Sequence, residues 1–192
     1  MNFTVEVKGY LGEKGGKRKR LVFRKRHDPA VENFMKWLYT AMFLNGSESL
    51  AMIDITGTSR AITWASTTRC QVDGPAGNTN YGIVAGTGTN AVTMTDYALQ
   101  TLIAHGTGAG QLSYGAVTFT GPTTSGKTRY FEFQRALTNN SGGTITVNEI
   151  GVYVYPTSTA YYYMYLRDVL GSGVVVNNGQ VLTIKYRVSV TA

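Results

Sequence analysis

Apolar and polar positions alternate from the start of the chain. In Phe3-Thr4-Val5-Glu6-Val7, one face carries Phe3, Val5 and Val7 and the other carries Thr4 and Glu6. That two-residue period predicts a half-buried strand. Gly9, Gly12, Gly15 and Gly16 mark a flexible connection, and residues 20–26 (RLVFRKR) return as a second strand. The expectation is a hairpin with a long basic tip. The period then changes. Val31, Phe34, Met35, Leu38 and Met42 fall at i, i+3, i+4, i+7 and i+11, the apolar stripe of a helix. Asp28 is suited to cap it and Pro29 to its first position. Asn45-Gly46 supplies a stop, so the pattern predicts one main helix over 29–44.

Strand periods resume beyond residue 50. Residues 51–55, 56–59 and 60–64 read as strand, turn and strand. Residues 73–80 (DGPAGNTN) read as a loop. Strand-like runs follow at 81–85, 111–120, 128–138, 144–155, 160–167 and 181–190, divided by Gly, Asn, Thr and Ser clusters. Arg167-Asp168 is expected to end one strand. Gly151, inside another, suggests a bulge or a close backbone approach. Asn178-Gly179 is a type I′ turn signal, leading into a last strand with Leu182, Ile184, Tyr186 and Val188 facing inward. The predicted fold is mainly β: a jelly-roll-like antiparallel β-sandwich with one N-terminal helix and a basic N-terminal hairpin arm. The expected units are an arm at 1–27, a helix at 28–46 packed on the body, and the β-sandwich at 47–192.

Composition narrows the classes. The 192 residues suit one domain and are enough to bury a core unaided. Only 15% are charged, against about 25% in a typical domain, and 23 are glycine. Neither a charged disordered chain nor a coiled coil has that composition. Cys70 is the one cysteine, and His27 and His105 are the two histidines. An intrachain disulfide and a Cys₄ or Cys₂His₂ zinc site are therefore excluded. No apolar run approaches the roughly 18–20 residues of a membrane span. The first residues lack the apolar segment of a signal peptide. Assembly in a reducing cytoplasm, without membrane or cofactor, is the expectation.

The net charge of +7 points toward nucleic acid or an anionic surface. It is unevenly spread. Residues 1–36 hold ten Lys and Arg and four acids, which leaves the body nearly neutral. Between Lys14 and Arg26 there are eight cations and no acid: Lys14, Lys17, Arg18, Lys19, Arg20, Arg24, Lys25 and Arg26. On charge, a contact to phosphate is balanced evenly against a solvated hairpin or an arm gripping an acidic patch on a protein partner. Phe23 is its one aromatic residue, so base stacking is not favoured.

Candidate catalytic chemistry is thin. Gly121 to Thr128 (GPTTSGKT) matches the P-loop pattern letter for letter. A P-loop must open a helix, yet RYFEFQRALT follows with strand alternation. A turn between antiparallel strands, with Lys127 in solvent, is expected instead. Gly86-Thr87-Gly88-Thr89 lacks the third glycine of a dinucleotide fingerprint. A nucleophile would need His27 or His105 as its base, and nothing in the pattern places either beside one. Glu132 and Glu149 are the carboxylates that strand pairing could bring together. No catalytic or metal-binding residue is predicted. Tyr161, Tyr162, Tyr163 and Tyr165 crowd both faces of one strand. They are expected at a subunit interface, with a strand covered on both sides within the monomer as the alternative.

Three segments resemble virion structural proteins of tailed phages. YGIVAGTGTNAVTMTDYALQTLI (81–103) resembles their "GTGTT.PT..DYAL" opening. TNNSGGTITVNEIGVYV (138–154) resembles their "TN.SG..TI.EIGLY" strand pair, and YLRDVLGSGVVVNNGQVLTIKYRVSV (165–190) their closing "..RDVL.SPVTV..G.TLTVTYTI.V" segment. The helix VENFMKWLYTAMF resembles the "V.NFL.LLY" helix that precedes them. Gly171-Ser172-Gly173 departs from the Ser-Pro usual there, and the basic stretch at 8–26 lies outside the pattern. The resemblance implies a non-enzymatic β-rich subunit of a tail, fibre, neck or capsid surface. Such a subunit would be a homo-oligomer or dock on other virion proteins, and would be assembled in the host cytoplasm. The alternatives are a β-domain that binds nucleic acid through the basic arm, and a virion module that binds a receptor or glycan through a loop such as 73–80 or 105–110.

Overall fold

Strand periodicity dominates the structure. The computed structural model describes residues 2–27, 31–43, 49–63 and 69–192. Within them the chain runs β1 (Asn2–Glu13), β2 (Lys19–Arg26), α1 (Glu32–Phe43), β3 (Ser49–Ile53), β4 (Ser59–Thr63), β5 (Cys70–Gln71) and β6 (Gly82–Gly86). It continues with β7 (Ser113–Ser125), β8 (Thr128–Thr138), β9 (Ile145–Pro156), β10 (Tyr163–Val176) and β11 (Gln180–Thr191). One antiparallel sheet has the order β2-β1-β11-β8-β7. In a second, β9 pairs with β10 on one side and with β6 and β5 on the other, and β3 and β4 form a separate hairpin. The fold is mainly β with antiparallel sheets in a sandwich-like arrangement. No helix of the described residues is long and apolar enough to cross a membrane.

The core follows the alternation. Val7 and Leu11, Leu182, Ile184 and Tyr186, and Phe133 and Leu137 are buried on one face of the five-stranded sheet. Their register (Val7↔Tyr186↔Phe133, Leu11↔Leu182↔Leu137) puts them side by side. In the second sheet β9 is buried on both faces from Glu149 to Val154, and β10 from Tyr163 to Asp168. Tyr186 donates its hydroxyl to Asp168 (2.9 Å) and Arg135 donates to the Ile83 carbonyl (2.9 Å), and both bonds tie the two sheets together.

Several expectations change. Residues 2–26 are a hairpin, but not one that stands off the body. Strand β1 pairs with β11 along its whole length, from Asn2↔Thr191 to Glu13↔Gln180. The apolar face of β1 needs a cover, and Val7 and Leu11 find it in the core. Strand β10 does not end at Arg167-Asp168. It continues to Val176, with a register break between Val169 and Val174. The turn after it is not type I′, because among the described residues no non-glycine residue has positive φ. Gly179 takes φ +83° and Gln180 N–H bonds the Asn177 carbonyl (3.0 Å), a type II pattern. It carries the chain from one sheet to the other.

The helix spans Glu32–Phe43, inside the predicted 29–44. The expected cap at Asp28-Pro29 and the stop at Asn45-Gly46 lie outside the described residues. Met35 belongs to the predicted stripe but is 53% exposed. Trp37 packs inward instead, where Phe34, Trp37 and Tyr165 cluster with ring centroids 5.6–5.9 Å apart. Asn33, which the apolar pattern passes over, is buried. Its amide bonds both the Ile53 carbonyl (2.7 Å) and the Ile53 N–H (3.1 Å), pinning β3 to the helix.

Candidate interaction surface and the ion network behind it

The P-loop look-alike is a hairpin turn. Ser125↔Thr128 and Thr124↔Arg129 pair across it, and Lys127 is exposed. No helix follows, so the phosphate-cradling geometry is missing. His27 Nδ1 lies 2.8 Å from Asp168 Oδ2, the oxygen that Tyr186 also contacts. The carboxylate can only accept, so Nδ1 carries the proton. His105 Nδ1 accepts the Tyr114 N–H (3.1 Å). Among the described residues neither ring is joined to a hydroxyl or thiol nucleophile. Glu132 and Glu149 do not meet, because Glu132 faces outward from β8 while Glu149 is buried in β9. Cys70 donates to or accepts from the Tyr165 hydroxyl (3.1 Å), and burial pushes its thiol up to about 11.

Glu149 is the centre of a buried network. Its Oε1 accepts N–H groups from Gly88 (3.1 Å) and Thr101 (2.8 Å), and its Oε2 accepts the Gln100 N–H (3.1 Å) and Arg167 Nε (2.9 Å). Arg167 also reaches Asp96 (2.7 Å) and the Asn90 carbonyl (3.1 Å). Asp96 in turn accepts the Thr93 N–H (2.9 Å) and hydroxyl (2.7 Å). Two side chains from neighbouring strands therefore hold the whole excursion 87–101 in shape. Gly88 belongs to this geometry. A Cβ there would sit 2.5 Å from Glu149 Oε1 and 2.5 Å from Gln100 Cβ. Gly88→Ala is expected to cost about 2–3 kcal/mol through overpacking, read by urea denaturation. Gly171→Ala, where a Cβ meets open space, is the control and should stay within about 0.5 kcal/mol.

The ionic contacts give the fold a pH dependence. Burial pulls the carboxyls of Asp96, Glu6, Glu132 and Asp54 upward, but bonds from Thr93 and Arg167, Lys8 and Arg24, Lys185 and Arg187, and Thr56, Thr58 and Arg60 outweigh it. All four lie below their ordinary values of 3.8 for Asp and 4.5 for Glu. In acid the unfolded chain takes up these protons first, so stability rises with pH in this window and falls as pH drops. Calorimetry should find a flat melting temperature from pH 7 to about 5 and a steady fall below about 4. A melting temperature still flat at pH 3 would contradict this.

The predicted contact residues divide. On β2, Arg24, Arg26 and Lys19 share the outer face of the sheet with their partners Lys8, Glu6 and Gly12. Lys25 lies on the other face and donates to the Val169 carbonyl (2.8 Å). Lys14 contacts Asn140 (3.3 Å), and Lys17, Arg18 and Arg20 are exposed at the hairpin tip or beside it. Tyr163 and Tyr165, expected at a subunit interface, are instead buried in this chain's own core, where a strand covered on both sides places them. Tyr162 stacks on Tyr81 (6.0 Å, 6°), and Tyr161 is 39% exposed with Arg60 over its ring at 4.0 Å.

Sequence reasoning missed the basic contribution of β11. Lys185 and Arg187 lie on the same outer face as the β2 cations, and both grip Glu132 of β8. Their alternation with Ile184, Tyr186 and Val188 was the available signal. An apolar opening of about 760 Å³ also lies between the sheets beside the helix, walled by Phe34, Trp37, Phe133, Val154, Tyr165 and Val188 among others. No family model, curated protein or solved structure matches the chain.

Proposed function

We propose that the chain is a non-enzymatic structural subunit of a tailed-virus particle, acting in a tail, fibre, neck or capsid surface as an oligomer or docked on other virion proteins. One observation carries this reading. The three segments that resemble phage virion proteins contribute Gly88 and Asp96, Glu149, and Arg167 respectively, and these residues meet in a single buried network. The resemblance thus falls on neighbouring strands of one sheet and on the residues that bind them together. The network's chemistry also supports a scaffolding role. Glu149 is wholly enclosed by donors, so it has no free face for a substrate. What it holds is a shaped surface loop.

Mass spectrometry of purified particles from the virus or prophage that encodes the chain tests the proposal. The expected result is the chain at a copy number fixed relative to the major capsid protein. Its absence from intact particles would overturn the reading. Light scattering on the purified chain then separates a self-assembling ring or trimer from a monomer that docks on other virion proteins.

A further inference from the structure

The outer face of the five-stranded sheet gathers more positive charge than its own acids can balance. The register places Arg24 beside Lys8 and Lys8 beside Lys185 on three adjacent strands. Side chains directly opposite one another are about 4.5–5.5 Å apart at Cβ, and like charges there are destabilising. The neighbouring row reads Arg26, Glu6, Arg187, Glu132. With Lys19, the face holds six cations against two acids, more than half of the chain's net +7. Both acids are already committed: Glu6 is bridged by Lys8 (2.8 Å) and Arg24, and Glu132 by Lys185 (3.0 Å) and Arg187 (2.6 Å). Each acid is shared by two cations, so six cations against two acids leave the face with a surplus of four positive charges.

We propose that this face, centred on Arg24, Lys8 and Lys185, docks the phosphate backbone of double-stranded DNA without reading its sequence. The rest of the face fits phosphate better than protein. Thr4, Tyr10, Thr118, Thr120, Gln134 and Ser189 share it, and hydroxyl and amide side chains commonly join Lys and Arg on phosphate oxygens. Leu21 is the one exposed large apolar side chain on it among the described residues. A protein hot spot would need buried aromatic or aliphatic anchors. Single strands, which stack on successive free rings, are disfavoured as well: of the two tyrosines on the face, Tyr130 is covered by Arg187 at 4.2 Å and Tyr10 is half-buried. The inference goes beyond the virion role, because it concerns what the purified chain binds.

Fluorescence anisotropy with a labelled 20-base-pair duplex, repeated with an unrelated sequence, tests it on the full chain. Binding should be equal for both sequences. The slope of log affinity against log salt should be about −4 to −5, from about 0.9 per neutralised phosphate. The variant Lys8→Thr/Lys185→Thr leaves one cation on each acid. It should reduce that slope by about two units and lower affinity about tenfold or more at 100 mM salt. Arg24 and Arg187 still hold Glu6 and Glu132 in this variant, so its melting temperature should fall by no more than a few degrees, and lost binding cannot be put down to unfolding. A tip variant, Lys17→Gln/Arg18→Gln, should perturb binding less than the face variant. Overturning results are unaltered affinity in the face variant, loss confined to the tip variant, no salt dependence, or equal affinity and slope for polyglutamate. Particle composition is measured separately, so failure here and failure of the virion reading are distinguishable.

Discussion

Arg167→Met is expected to lower the free energy of unfolding by about 3–5 kcal/mol, the range for removing one partner of a buried ion pair. Arg167 and Glu149 have side chains 3% and 0% exposed. Methionine fills similar volume but leaves the Glu149 carboxylate without a countercharge and frees Asp96 and the Asn90 carbonyl as well. The damage should be local first. Hydrogen exchange at Gly88, Gln100 and Thr101, whose N–H groups point at Glu149, should quicken before the sheets open. Arg167→Lys keeps the charge but loses the planar fork, and should fall between wild type and methionine. A loss below about 1 kcal/mol in urea titrations would mean that water or local rearrangement rescues Glu149, and that the network does not set the loop's shape.

Arg135→Leu should cost a similar amount for a different reason. Arg135 is fully buried and is held by backbone carbonyls: Gly115 (2.7 Å), Ile83 (2.9 Å), Pro75 (2.9 Å) and Asn78 (2.7 Å). Burial brings its guanidinium down to about 10, so it is charged at neutral pH. Leucine would leave four carbonyls without this donor. Each buried unsatisfied group costs about 1–3 kcal/mol, and partial solvation of the 73–80 loop should hold the total near 3–5 kcal/mol. The signature is position. Exchange should rise around Pro75 to Asn80 and at the end of β6, while the Glu149 network stays protected. Uniform loss of protection across both regions would show that the two sites are one cooperative unit.

Strand positions were legible wherever one face is apolar and the other polar. Register pairs along β1, β8 and β11 follow the alternation residue by residue, and β3–β4 forms the predicted hairpin. Legibility failed where a strand is covered on both sides. In β10, Arg167 and Asp168 look like the end of an apolar run, yet both are buried and bonded, because an ion pair inside a core mimics a surface in sequence. Arg135 gives no sign of its role in the sequence either. It breaks the apolar face of β8 and still points inward, since its partners are carbonyls and leave no complementary charge to find. The charge run at 14–26 misled about placement. In sequence its cations form one arm, but strand pairing sends Lys25 to one face and Arg24 and Arg26 to the other. Lys8 and Lys185 join the latter from strands whose charge count alone attracts no notice.

The pairing of β1 with β11 also bears on how the molecule is made. The first strand of the sheet finds its inner neighbour only when the last strand exists, so the contact that closes the sheet is among the most non-local in the chain. Such contacts are slow to form, because a long loop must be closed before they return any stability. During synthesis the segment that becomes β1 and β2 must therefore wait with Val7 and Leu11 uncovered, and its high charge disfavours pairing with other chains. The cations that give the finished sheet its charged outer face also guard the unfinished one.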